Sequence, residues 1–431
     1  MTEPSTITAP GHSAEPGPPG PLAAVLDPAA PLAATTPGRV RIPDAEFADR
    51  LDRVQQAMGR QSFAALVVTD PANLYYLTGY DAWSFYTPQC LVVPAVGEPH
   101  LFARAMDAAG AHLTCNLPAE RIHGYPEHLV HRPDKHPFDW MTAVARDAGV
   151  LPVGPDVTIA FEGESAFFTA RGYLALAEGI EGTRLVDSGE LVNWVRLVKS
   201  PYEVGQLRVA GKIAELAMTT ALDYVEVGTR HCDAVAEIMR VQARGTDDHG
   251  GDYPAIVPML PTGPGSGTPH LTWTDAAFVV EEPTTIELAG VFNRYHAPLA
   301  RTVMLGEPPK RMLAAADMLS EAMPMTLESM KPGVPAAEVH ATFDAILRRH
   351  HMAKDSRIGY SIGVGYPPDW GERTVSLRAE ETTVMQPGMA FHVILGMWMD
   401  GWGYELSEPV VVTETEAVRL CQLPQTLMTK R

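Results

Sequence analysis

The residues best able to do chemistry in this sequence are acids and histidines in unusual surroundings. Glu287 stands in "TTIELAGVF", a run otherwise fit for a buried strand. A carboxylate there needs a reason, because burying a charge without a partner is costly. Alternation puts Ile286 and Leu288 on one face and Glu287 on the other, so an edge strand with Glu287 in solvent is the competing reading. His392, in "MAFHVILGMWM", reads first as a satisfied core histidine. The Gly- and Pro-rich stretch Asp247–Trp273 carries His249, Asp252 and His270. A loop histidine suits proton transfer because its ordinary pKa lies near neutrality; His249 can equally cap a turn. In "TGYDAWSFYTPQC" four aromatics fall within seven residues, among them Trp83, Phe85 and Tyr86. On a turn they could wall a pocket for a flat cation, or simply pack in the core. The Gly-rich stretch Gly359–Arg373 lacks a Walker lysine and the context of a dinucleotide fingerprint, which excludes nucleotide binding.

Two regimes of secondary structure must position these groups. Helical spacing over 46–60 and short strands at Ala65–Asp70, Gln89–Ala95, His100–Arg104 and Val157–Gly163, with a helix near Phe167–Gly179, predict an α/β domain. Pro71 reads as a turn. From Lys199 the pattern changes. Ser200, Pro201 and Glu203 form a capping-box signature at the head of a long helix. Further helices are predicted at His231–Ala243, Lys310–Met330 and Ala336–His350. Strands are predicted at Ala276–Val280, Thr284–Phe292, Ala300–Leu305, Ala390–Met397 and Glu408–Thr413. Helix pairs alternating with antiparallel strands predict an α+β C-terminal domain with internal duplication. The chain thus divides into a Pro/Ala-rich tail at 1–40, read as disordered, an N-terminal domain at 41–198 and a catalytic domain at 199–431.

Composition narrows the function. The 431 residues hold 33 Lys plus Arg against 52 Asp plus Glu, a formal charge of −19. That balance argues against nucleic acid, which needs a basic patch, and against an anionic membrane surface. No apolar run is long enough to span a bilayer. Cys90, Cys115, Cys232 and Cys421 show neither a CxxC pair nor metal-ligand spacing, which suits free thiols in a reducing, cytoplasmic setting.

Several strings resemble the creatinase/aminopeptidase P/prolidase superfamily: "KSPYEV", "TGPGSGTPHLTW", "IELAGVFNRYHAPLART", "KPG", "QPGMAFHV" and "SEPVVVTETE". The resemblance runs over about residues 45–425. It implies a creatinase-like N-terminal domain followed by the α+β "pita-bread" domain. Metal-dependent members carry five ligands in the order Asp, Asp, His, Glu, Glu. Here these positions fall on Glu287, Pro298, Tyr360, Ile394 and Glu408, with Glu405 nearby. Three of the five are poor ligands for a divalent ion, so the resemblance implies an enzyme without a metal cofactor, as in creatinase. The longer strings "TGYDAWSFY", "KDSRIGYSIGVGYPPDWGERTVSLR" and "PGMAFHVILGMWMDGWGYELSE" are similar to the ectoine hydrolase family. That family opens the cyclic amidine of ectoine to an N-acetyl-2,4-diaminobutyrate and works beside a deacetylase.

The resemblance implies roles. Glu287 and Glu408 (or Glu405) would face the substrate cation, with Glu287 as nucleophile or base and His270 delivering a proton to the leaving nitrogen. Trp83, Phe85 and Tyr86 would wall the pocket, reaching across a homodimer. His249, His296, Tyr360 and Glu405 would line it. Arg373 or Arg301 would hold the substrate carboxylate, although Arg301 is more readily a structural pair. The competing expectations are a metal-dependent Xaa-Pro dipeptidase, an amidinohydrolase acting on another small zwitterion, and a catalytically dead solute-binding protein.

Overall fold

The computed structural model describes residues 22–27 and 42–431 of the chain. Most of the expected tail lies outside the described residues. One piece within it corrects that expectation: Leu22–Leu26 forms a short helix with Leu22 and Leu26 buried. Leu22 N–H donates to Glu414 Oε1 at 2.9 Å, and Arg208 donates to Val25 O at 3.2 Å. Apolar side chains one turn apart give even this brief segment a face to bury.

The N-terminal domain is built on a six-stranded mixed sheet. Its strands are β1 (Ala65–Val68), β2 (Cys90–Pro94), β3 (His100–Arg104), β4 (Ile122–Tyr125), β5 (Thr158–Phe161) and β6 (Arg184–Asp187). Their spatial order is β4-β3-β2-β1-β5-β6, with β1 antiparallel to β2 and parallel to β5. The all-apolar β1 is buried on both faces, as a central strand covered by helices must be. Pro71 does not end structure in a turn. It occupies the first turn of helix Pro71–Thr78, with Asp70 Oδ1 accepting from Ala72 N–H as the N-cap.

The C-terminal domain opens on helix Pro201–Tyr224. Both capping-box bonds form there: Glu203 N–H donates to Ser200 Oγ, and Ser200 N–H donates to Glu203 Oε2. This helix packs on the hairpin of β7 (Pro283–Phe292) and β8 (Tyr295–Leu305). Contact is so close that a Cβ at Gly290 would lie 2.0 Å from Ala210 O. Next come β9 (Gly359–Tyr366), β10 (Asp369–Ser376), β11 (Ala390–Ile394), β12 (Met397–Met399), β13 (Trp402–Tyr404), β14 (Ser407–Val412), β15 (Ala417–Arg419) and β16 (Met428–Lys430). The large sheet runs β15-β14-β11-β9-β8-β16, with β7 on β8 and β10 on β9.

One strand expectation needs correction. Ala276–Val280 is not a strand; only Ala277 bridges, to Arg230. The Gly-rich stretch Gly359–Arg373, to which no element was assigned from the sequence, lies in the β9–β10 hairpin. Its glycines admit close neighbours: a Cβ at Gly363 would meet Glu372 Oε1 at 2.3 Å. That carboxylate joins the domains. Lys199 donates to Glu372 Oε2 at 2.6 Å, Arg196 lies 3.6 Å from Oε1, and Asn193 donates to the backbone carbonyl of Glu372 at 2.9 Å.

Candidate active site

Strand register collects the site on one face of the large sheet. Directly opposed residues share a face. Glu287 opposes Ala300, and Ala289 opposes Pro298. His392 opposes both Tyr360 and Pro409, and Ile394 opposes Ser407. The β11–β14 register continues through Leu395 N–H donating to Leu406 O into the β12–β13 pair, where Met397 opposes Tyr404. Glu405 therefore stands across from Gly396 at the end of this face. Ile286 and Leu288 face helix Pro201–Tyr224, as alternation predicts, yet Glu287 does not reach solvent. Met259 bridges to Glu287 along the outer edge, and Ala255, Met259, Ala289, Val291 and Trp370 cluster over this second face.

A hydrogen-bond chain crosses the site. Trp370 Nε1–H donates to Tyr360 OH at 2.8 Å, and Tyr360 OH shares a bond of 3.0 Å with His392 Nδ1. His392 Nε2 shares a 2.6 Å bond with Ser407 Oγ, which also accepts from Ala300 N–H at 2.6 Å. The indole and the amide can only donate, while the hydroxyls and the imidazole between them can pass a proton either way. His392 Nδ1 lies 3.9 Å from Glu287 Oε1. Burial pushes the His392 imidazole down to about 3, assisted by Arg357, so it is neutral. Burial raises the Tyr360 phenol, and the Glu287 charge raises it further.

The carboxylates are the unusual feature. Glu287 is 5% exposed, and burial alone pushes its carboxyl up to about 8. Glu405 is 1% exposed with Oε1 unpartnered. Burial raises it first and Glu287 second, against the opposing charge of Lys354. The Lys354 ammonium donates to Gly396 O at 2.6 Å, across the ladder from Glu405, and lies 4.1 Å over the Trp398 ring. Burial lowers it to about 8. Two buried acids on one wall, with no hydrogen-bond donor fixed on either side-chain carboxylate among the described residues, favour a cation rich in N–H groups.

Comparison with known proteins agrees with this architecture. Residues 50–198 match the creatinase/prolidase N-terminal domain, and residues 205–414 match metallopeptidase family M24. Over 392 residues the chain is 41% identical to ectoine hydrolase of Halomonas elongata, covering 89% of this chain and 97% of that protein. The chain belongs to the creatinase/prolidase family. It is similar also to an uncharacterized hydrolase/peptidase of Sinorhizobium fredii, 38% identical over 90% of this chain and 98% of that one. The fold matches dipeptidase PepE from Mycobacterium ulcerans with a TM-score of 0.74 at 23% identity, covering 90% and 99% of the two chains. As a member of this family the chain is a hydrolase with the pita-bread fold.

The family's divalent-metal site does not fit the residues present. Pro298 and Ile394 offer no side-chain ligand, and Tyr360 OH is already engaged by Trp370 and His392. Among the described residues no group of three or more His, Cys, Asp or Glu is placed to hold a metal ion.

Several expected roles need correction. Glu408 opposes Val393 and so points to the other face. There it accepts from Arg301 at 2.6 Å, Arg419 at 3.0 Å and Gln425 at 3.0 Å; the residue on the site face is Ser407. Arg301 is accordingly a structural pair. Arg373 is bound to Asp70 at 2.8 Å and Glu190 at 3.1 Å, tying the domains together rather than waiting for a substrate. His296 accepts from Ala255 N–H through Nε2 and donates from Nδ1 to Arg294 O. It therefore pins the 252–260 loop to β8, and burial pushes it down to about 3. His249 closes a turn: its N–H donates to Thr246 Oγ1 and its carbonyl accepts from Thr246 N–H. His270 is exposed after the short helix Gly263–Gly267, with no hydrogen bond joining it to the chain from Trp370 to Ser407.

The aromatic triplet forms a separate patch. Phe85 packs on Phe167 and Tyr366, and Trp83 packs edge-on against Tyr253. Trp83 and Tyr86 are 58% and 61% exposed. Of the expected site residues, the structure brings together Glu287, Tyr360 and Glu405. It adds His392, Ser407, Lys354 and Trp370. Ser407 was legible from alternation in "SEPVVV"; Lys354 and Trp370 carried no periodic signal.

Proposed function

We propose that this chain hydrolyses the cyclic amidine ring of ectoine to an N-acetylated 2,4-diaminobutyrate without a metal cofactor. The observation that carries the reading is the pair of buried, unneutralised carboxylates, Glu287 and Glu405, on one wall. A planar amidinium offers two N–H donors and one positive charge, which answers that deficit with paired charge-assisted hydrogen bonds. The 41% identity to ectoine hydrolase of Halomonas elongata supports the choice of amidine.

Glu405 takes the N–H edge of the amidinium, and Glu287 faces the carbon between the two nitrogens. Either Glu287 adds to that carbon, or it takes a proton from the water that does. A C–O bond forms and a tetrahedral centre results. One C–N bond then breaks, its electron pair returning to nitrogen, which takes a proton from Glu287 where that group has deprotonated the water, or a solvent proton passed along the Tyr360–His392–Ser407 chain where Glu287 has added. Where Glu287 has added, water attacks the Glu287 carboxyl carbon and breaks its bond to the bridging oxygen, which stays with the product as the amide oxygen while the carboxylate is restored. The sum is one water consumed and one C–N bond exchanged for C=O. The acetylated amine left behind is a substrate for a deacetylase.

The exposed Trp83 and Tyr86 suit a homodimer in which one subunit's N-terminal domain approaches its partner's site. Free thiols at all four cysteines suit a reducing cytoplasm. The test is incubation of purified, chelator-treated protein with ectoine and identification of the product by NMR and mass spectrometry. A product heavier by one water supports the reading. Ectoine left intact, with Xaa-Pro dipeptides cleaved once manganese is added, overturns it. Single turnover in labelled water separates the two routes, because addition by Glu287 places solvent oxygen in its carboxylate.

A further inference from the structure

With Arg373 and Arg301 committed elsewhere, the group that receives a substrate's anion is unassigned. We propose that Arg357 is the carboxylate anchor of this site, making the enzyme selective for amidines that carry a carboxylate. The inference deepens the functional reading above and rests on it.

Arg357 lies in the connection between helix Ala336–Arg349 and β9, three residues before Tyr360. Its guanidinium carbon sits 4.2 Å from the Tyr360 ring centroid, and Nη1 donates to Ser376 Oγ at 3.1 Å. Ser376 opposes Tyr360 across the β9–β10 ladder, so ring and hydroxyl hold the group from two sides. Stacking fixes the plane of a guanidinium and leaves its donor edge free. Of its five N–H donors, one is used here.

What sets Arg357 apart is the company it lacks. In a chain with 52 acidic residues, the arginines on this sheet's strands and on its β7–β8 turn have found carboxylates. Arg301 holds Glu408, Arg373 holds Asp70 and Glu190, and Arg294 lies 3.3 Å from Asp252. Among the described residues Arg357 pairs with no acid. It is also exposed, whereas Glu287 and Glu405 are buried, so the positive group stands at the outer side of the Tyr360 ring and the negative ones within. A ligand complementary to that order is a zwitterion that enters cation first. A carboxylate left outermost meets the free guanidinium edge and makes a bidentate pair.

The experiment compares ectoine with 2-methyl-1,4,5,6-tetrahydropyrimidine, the same ring without its carboxylate, in the wild type, Arg357→Gln and Arg357→Lys. For ectoine, Arg357→Gln raises KM about 30-fold, the scale of a lost charge-assisted pair. Its kcat changes less than about threefold, because the anchor is used equally in the ground and transition states. Arg357→Lys recovers part of the KM, since an ammonium supplies charge without the fork. For the carboxylate-free ring, the wild type and Arg357→Gln differ by less than about threefold in kcat/KM. Thermal melting shows that the variants are folded. Equal losses on both substrates, or an unchanged KM for ectoine in a folded Arg357→Gln, overturn the assignment while leaving ring hydrolysis standing. Absence of wild-type turnover of ectoine sinks the functional reading, and the anchor with it.

Discussion

Glu405 and Glu408 lie three residues apart and meet opposite treatment. Glu408 is fully buried, and its Oε1 is held by Arg301, Arg419 and Gln425, although its Oε2 has no hydrogen-bond partner. Glu405 is equally buried, but no cation is bonded to its carboxylate, and the Glu287 charge raises it further. The same contrast recurs between Glu372, held by Lys199 at 2.6 Å, and Glu287, which has no partner closer than a neutral histidine at 3.9 Å. A buried carboxylate with a fixed cation belongs to the scaffold. One without it stores an unmet electrostatic demand, and such groups gather where ligands are received.

The comparison can be broken most severely at Glu287. Glu287→Gln is expected to cost about 10⁴-fold in kcat/KM for ectoine while leaving the fold intact. It also has a stability signature. The folded Glu287 carboxyl is raised to about 8, so between about 4.5 and 8 the native state holds a proton that the unfolded chain has released. Wild-type stability therefore falls as pH rises through that window. Glu287→Gln lacks Glu287's share of that fall, and denaturant melts at pH 5 and pH 8 compare the two slopes directly. A variant that declined with pH as steeply as the wild type would contradict the burial argument.

Glu408→Gln should behave in the reverse sense. Removing the anion leaves Arg301 and Arg419 facing one another in a buried shell, with an expected loss of about 3 kcal/mol in denaturant melts. Activity per folded molecule should stay within about threefold. A stable but inactive Glu408→Gln would return Glu408 to the chemistry.

Smaller effects sharpen the picture. The free enzyme's kcat/KM for ectoine should rise about tenfold per pH unit and level off above about 8, because Glu287 must be ionised to act and burial holds its proton. A plateau beginning near pH 5 would show that the site is wetter than its packing implies. Lys354→Met removes the charge that opposes protonation of Glu405, so the profile should move to higher pH, with about threefold less activity at pH 7 that returns at higher pH. An unshifted profile would reduce Lys354 to packing against Trp398.

Much of the scaffold was legible beforehand because its signals are local. The capping box at Ser200 and Glu203, the helical period of 310–330 and the apolar run of Ala65–Val68 each depend on residues a few positions apart. Pro71 misled, and the Gly359–Arg373 stretch gave no element, for the same reason. Proline can begin a helix as readily as interrupt one, and glycine in a strand is explained only by the neighbour that approaches it, here Glu372 against Gly363.

For the site, the residue types determined that Glu287 was an anomaly, that Pro298 and Ile394 were not metal ligands and that the chain carried a large excess of acid. Tertiary structure decided which acids were left unpaired. Arg301 and Glu408 are 107 residues apart and Lys199 and Glu372 are 173 apart, and no periodicity connects such partners. Pairing is a property of distance in space, set by strand register. A shift of one residue in β14 would exchange the faces of Ser407 and Glu408, turning a structural acid into the site and a hydroxyl out of it.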